Sequence, residues 1–319
     1  MKSLVFVLAG LTCLFGQSMG LSEKGWILDD SCKTSKDPRK ENLIAQMADS
    51  AFEMANLAHD ELEKQLSGKQ KDVDIQNALK WMFLPDNKGP KDIVLPEFDK
   101  LRSTLQNVTE LSKRLPDTTS RWKNPNVVII YCTLDRFKKR KNGDWSDKAA
   151  KLVIPDADYQ ACFPQTPNAK KGVAWTNVQY NHPEHASHLQ LCPWWVDLIM
   201  EAKYVTFKDL PKKALLGPAE WERKMKQAGW NGVPIDTVGL FDRTFLHELT
   251  HTRYAGETFD NAYKWKPCRD LAKKDIPGID EKSAQRNADS IAFAGLAIRL
   301  NKYRQRPLRV LEDGMFEIK

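Results

Sequence analysis

The segment His247-Glu248-Leu249-Thr250-His251 combines residue types and spacing that could do chemistry. On a helix, residues four apart share one face, about 6 Å from each other, so both imidazoles can be aimed at a single ion. Glu248 directly follows the first histidine and can reach a water on that ion without being a ligand itself. Zinc held there would bring the water's pKa near neutrality, and the Glu248 carboxylate would take its proton as the water attacks a carbonyl carbon. The expected chemistry is hydrolysis, with a peptide bond as the substrate. The plainer alternative is an amphipathic helix that carries two histidines and no metal. With only six histidines in the chain, chance seldom produces this pattern.

A catalytic zinc takes three protein ligands and keeps a fourth position open. Three acidic residues downstream could complete the set: Glu257, six residues past His251; Asp260, nine past it; and Asp289, on a later helical segment. A third ligand six residues on belongs to the metzincin pattern, which needs a glycine where Tyr254 stands. In the thermolysin-like pattern a later helix donates a glutamate, and the residue offered here is Asp289. Asp260 is therefore the best-placed third ligand.

Around that aspartate the chain resembles a known family. Thr258-Phe259-Asp260-Asn261-Ala262-Tyr263 is similar to the aspzincin signature of deuterolysins and peptidyl-lysine metallopeptidases, in which HExxH is followed by GTxDxxYG. Asn287-Ala288-Asp289-Ser290 resembles an element of their final helix, and Leu191-Cys192-Pro193 with Trp194-Trp195 resembles their edge strand. The likeness runs from about Val173 to Tyr303. It implies a zincin-like domain with one zinc per chain on His247, His251 and Asp260, and it implies that Tyr263 stabilises the oxyanion of the reaction. It also implies that Asp289 holds a substrate side chain, although Asp289 could equally tie the last helix to the metal-bearing one. Glu257 and Lys264 replace both glycines of the signature.

A second histidine group, His182, His185 and His188, has a spacing that could bind another metal. Pro183 argues against a regular helix there, and the favoured reading is a polar loop entering an edge strand. His59 is expected at an exposed position on the first helix.

These residues need elements to hold them. Apolar residues recur at helical spacing from Glu41 to about Leu66, and further helices are expected at Ile75–Phe83, Glu97–Leu111, Pro218–Ala228, about Val238–Tyr254 and about Glu281–Tyr303. Short β-branched clusters at Val127–Tyr131, Lys151–Ile154 and Val173–Trp175 read as strands, and His188–Leu191 reads as an edge strand stopped by Pro193. Strands first and helices after, without βαβ alternation, point to an α+β fold. Leu115–Ser120 reads as a linker that divides a mainly helical region, residues 21–120, from the metal-binding domain at 121–319. The first part is either a propeptide, with Lys113-Arg114 as a processing site, or a permanent domain.

Met1–Gly20 has the basic start, apolar run and small residues of a signal peptide, and no later stretch is long and apolar enough for a membrane span. A soluble, secreted protein is expected, with no membrane or nucleic-acid partner. Its net charge of +7 is modest, and the basic run Phe137–Lys141 lacks the interleaved aromatics of a nucleic-acid site, so a solvated loop is expected there. In an oxidising compartment Cys32, Cys132, Cys162, Cys192 and Cys268 should give two disulfides and one remaining thiol. Asn107-Val108-Thr109 is a glycosylation sequon. The functional reading is a secreted zinc endopeptidase acting on proteins or peptides. The alternative is a secreted zinc-binding surface protein on the same scaffold without significant proteolysis, and Glu248 argues against it because a pure zinc binder needs no carboxylate beside its first ligand.

Overall fold

The computed structural model describes residues 23–33, 37–95, 97–116, 122–148, 150–163, 172–179, 181–209, 232–274, 281–303 and 307–319. The signal segment, linker residues 117–120 and the helix expected at Pro218–Ala228 lie outside the described residues.

The described residues form an α+β fold. One four-stranded sheet has the order β1 (Gly25–Leu28), β2 (Val127–Tyr131), β7 (Ser187–Leu191), β6 (Ala174–Asn177). β1, β2 and β7 run parallel, and β6 closes the series antiparallel to β7. This corrects the edge-strand expectation for His188–Leu191. That strand is paired on both sides, all five of its residues are buried, and the edge belongs to β6, whose residues are half-buried. Pro193 stops β7 for a different reason: it opens the helix α5 (Pro193–Glu201), where a missing N–H costs nothing. A smaller antiparallel sheet contains β3 (Lys138–Lys139), β4 (Trp145–Asp147) and β5 (Leu152–Ile154). The basic run expected as a loop is thus partly strand, with its two strand lysines exposed. A terminal hairpin, β8 (Leu308–Val310) and β9 (Phe316–Ile318), was not expected.

The helices are α1 (Arg39–Leu66), α2 (Val73–Phe83), α3 (Asp99–Glu110), the short α4 (Asp156–Ala161), α5, the short α6 (Pro234–Val238), α7 (Leu240–Thr250), α8 (Trp265–Ala272) and α9 (Ala288–Asn301). The helix expected from Val238 to Tyr254 is divided at Gly239 and ends at Thr250. The last helix begins at Ala288 because Asn287 is extended and uses its side chain elsewhere. The sequon Asn107–Thr109 lies on α3, and Asn107 is half-buried.

All fourteen residues of α9 are buried, so this helix is a central pillar rather than an amphipathic surface helix. Close approach is possible because position 295 is glycine: a Cβ there would sit 3.1 Å from Leu246 Cδ2 of α7 and 3.2 Å from Met54 Cγ of α1. The same three helices share a buried polar knot. Asp242 of α7 accepts hydrogen bonds from Ser50 Oγ of α1 at 2.7 Å, Arg299 Nη1 of α9 at 3.1 Å and the Phe207 backbone at 3.1 Å. The described residues between 23 and 116 are built into this architecture: β1 extends the main sheet, and α1 and α3 bury their apolar faces in the core that also contains α7 and α9. Two disulfides add cross-links, Cys32–Cys132 between the ends of β1 and β2 and Cys162–Cys192 between α4 and the end of β7, while Cys268 remains a buried thiol. Among the described residues no helix is long and apolar enough to cross a membrane.

Removing the Asp242 carboxylate would leave the buried Arg299 guanidinium with only the exposed Glu53 carboxylate, 4.0 Å away, as counter-charge. We expect Asp242→Ala to lower unfolding free energy by about 3–5 kcal/mol, measured by denaturant titration, and a loss below ~1 kcal/mol would show that the knot does not hold α1 to α7 and α9.

Candidate metal centre

His247 lies in the last turn of α7 and His251 caps its C-terminus, so the helical spacing brings their Nε2 atoms to 3.2 Å from each other. The chain then leaves the helix, loops through residues 252–263 and returns Asp260 to the same point. Asp260 Oδ1 is 3.1 Å from His247 Nε2 and 3.3 Å from His251 Nε2. Tetrahedral zinc with bonds of 2.0–2.1 Å sets its donor atoms about 3.3 Å apart. The triangle of donors has the edges that this geometry requires, and two imidazoles with one carboxylate are a donor set that zinc accepts.

Each ring is oriented from behind. His247 Nδ1 faces Asp289 Oδ1 at 2.9 Å, and His251 Nδ1 faces the Thr258 carbonyl oxygen at 2.8 Å. With Nδ1 donating to these acceptors, each Nε2 offers its lone pair to the shared point. Asp289 is itself enclosed. Arg243 Nη1 donates to its Oδ1 at 2.6 Å and the Lys264 backbone N–H to its Oδ2 at 2.7 Å. Both oxygens are engaged inside the fold, so the geometry makes Asp289 the tie between α9 and α7.

The loop carrying Asp260 is held on several sides. Asn287 Oδ1 accepts the backbone N–H groups of Asn261 and Ala262, both at 2.9 Å. Phe259 exchanges backbone hydrogen bonds with the chain at Arg286 and Ala288. α3 braces the near side: Lys100 Nζ donates to the Gly256 carbonyl at 2.9 Å, and Glu110 accepts from the Tyr254 hydroxyl. The two positions where the signature has glycine are left-handed in this chain, with φ of +51° at Glu257 and +69° at Lys264. Non-glycine residues adopt this backbone at a cost on the order of 1 kcal/mol each.

Glu248 is buried beside the donor triangle. Burial holds its carboxyl above the ordinary range, with the neighbouring histidines pulling the other way. The Thr176 hydroxyl of edge strand β6 lies 2.9 Å from both Glu248 Oε2 and the Glu248 carbonyl oxygen, so β6 is pinned alongside α7. Tyr263 stacks on the His247 ring at 5.8 Å between centroids while remaining 55% exposed. Burial opposes a charge on His247, but hydrogen bonds that the ring donates to the Asp260 and Asp289 carboxylates outweigh it and push this imidazole up to about 10. The carboxylates demand positive charge at the centre, which a proton or a divalent metal can supply.

His247, His251 and Asp260 therefore form a group able to hold a metal ion. Thr176 and Arg243 complete the site without having been singled out, and Thr258 and Asn287 do so from segments quoted for the resemblance, with no role given to either. Arg243 had a visible signal, because it precedes His247 by four residues and so shares its helix face; Thr176 had none, since its contact is long-range. Of the second histidine group, His182 and His185 come together with Glu184, but His188 does not join them. It is buried on β7, stacked on Tyr131, and burial lowers it to about 3. His59 is half-buried rather than exposed, close to Asp60 and Glu63.

No protein-family model matches this chain, and comparison with curated proteins finds no match.

Asp289→Asn keeps the shape of the anchor but removes its charge behind His247. Zinc affinity should fall about 10- to 100-fold, read by competition with a chromogenic chelator; unchanged affinity would mean that Asp289 does not orient the ligand.

Proposed function

We propose that this protein is a secreted zinc-dependent endopeptidase of the aspzincin type, with a zincin-like domain. The observation that carries the reading is the convergence of His247 Nε2, His251 Nε2 and Asp260 Oδ1 on one point, with the buried Glu248 carboxylate alongside. Left-handed backbone at Glu257 and Lys264 adds support, because it preserves the loop path of the signature where its glycines are missing. Two disulfides are consistent with an extracellular destination.

Zinc, when bound, supplies Lewis acidity that acidifies water and polarises the scissile carbonyl. His247, His251 and Asp260 hold it, and Asp289 and the Thr258 carbonyl keep the two rings turned toward it. Glu248 takes the proton of the attacking water on its carboxylate and returns it to the departing amine nitrogen. A carboxyl raised by burial is better matched to both transfers near neutral pH than an exposed one. The Tyr263 phenol, standing over His247 at the exposed side of the centre, donates a hydrogen bond to the carbonyl oxygen as negative charge builds on it. Edge strand β6 offers its open side to an extended peptide, and Thr176 fixes its distance from Glu248. Residues 21–120 act as a permanent part of the enzyme, since α3 braces the loop bearing Asp260.

The test compares wild type with Glu248→Ala for zinc content and for cleavage of an unfolded protein substrate. Both should hold equal zinc, and the variant should cut at least ~10²-fold more slowly. Zinc-loaded wild type that leaves the substrate intact would overturn the proposal in favour of a zinc-binding protein.

A further inference from the structure

The turn between β6 and β7 carries a second group of donors that the centre does not use. Hydrogen bonds from His182 N to the Gln179 carbonyl and from His185 N to the His182 carbonyl, both 3.0 Å, fold this turn so that the two imidazoles lie on one side. The rings stack at 4.9 Å between centroids, 17° from parallel. Glu184 Oε1 sits 3.4 Å from His182 Nδ1 and 3.4 Å from His185 Nε2, and one donor atom from each residue lies within 4.8 Å of the other two.

His185 is the telling member. Its side chain is only 5% exposed, yet among the described residues neither ring nitrogen makes a hydrogen bond, Nε2 having only the Glu184 carboxylate at 3.4 Å. A buried polar atom left unpaired costs about 1–3 kcal/mol, and a native fold seldom tolerates one without a use for it.

We propose that His182, Glu184 and His185 form a second metal site, for a divalent ion of the zinc, nickel or copper class, that clamps the turn joining β6 to β7. Two imidazoles and one carboxylate select these ions over calcium and magnesium, which prefer all-oxygen shells. The donors stand farther apart than in the first centre, and the site closes by movement of its two accessible members, since the side chains of His182 and Glu184 are 35% and 54% exposed while His185 is fixed by burial. The clamp acts next to the catalytic helix. Arg253, two residues after His251, donates Nη2 to the Gln179 carbonyl at 2.8 Å and its backbone N–H to Ser187 Oγ at 3.0 Å, gripping the connection at both ends. This inference does not depend on the proposed peptidase activity.

The test is calorimetric titration of zinc into the full chain after chelator treatment. Wild type should take up two equivalents. His247→Ala/His251→Ala should keep one of them, and His182→Ala/His185→Ala should keep the other. Because His185 is buried, Glu184→Gln serves as the variant that leaves the packing intact, and it should weaken the second equivalent on the order of tenfold or more. Uptake of a single equivalent by wild type, lost with His247 and His251, overturns the proposal; so does a second equivalent whose affinity Glu184→Gln leaves unchanged.

Discussion

Two histidines can serve one ion only if each turns a ring nitrogen with a free lone pair toward it, and in this chain that orientation comes from the far side of each ring. Asp289 receives Nδ1 of His247, and the Thr258 carbonyl receives Nδ1 of His251. The helical spacing brings the rings near each other, but it does not choose which nitrogen points inward. The two anchors make that choice, and they come from separate parts of the chain, the start of α9 and the loop after α7. Contacts of α1, α3 and α9 keep those parts in register with α7.

The register is held by polar contacts inside an apolar frame. Gly295 lets α9 lie close against α1 and α7, and Asp242 with Ser50 and Arg299 fixes how the three helices meet. Asn287 then reaches from the foot of α9 to two backbone N–H groups of the loop, setting Asp260 at the donor triangle. Lys100 and Glu110 of α3 hold the opposite side of that loop. The helices of the first third are therefore scaffolding for the centre, which explains why a region without chemical residues of its own occupies so much of the chain.

The sequence made the local parts legible and left the long-range ones hidden. HExxH on a helix is a pattern of period and residue type, so His247, Glu248 and His251 could be found directly, and α1, α2, α3 and β2 follow from apolar periodicity. Asp260 needed the resemblance as well, because its approach depends on a loop path that spacing alone does not dictate. The strand His188–Leu191 was expected at an edge because Pro193 follows it, yet that proline starts a helix and the strand lies inside the sheet. Asp289 could be either a substrate contact or a tie between helices, and only the enclosure of its carboxylate by Arg243, His247 and Lys264 separates the two. His182 and His185 were visible as a group, but their third partner is Glu184 rather than His188, whose ring turns into the core against Tyr131.

X-ray absorption at the zinc edge reads the ligand set of the first centre, using the His182→Ala/His185→Ala protein loaded with one equivalent. Two imidazole nitrogens and oxygen donors at about 2.0–2.1 Å are the predicted shell. A sulfur donor near 2.3 Å, which would point to Cys268, or a shell without two imidazoles, would contradict it.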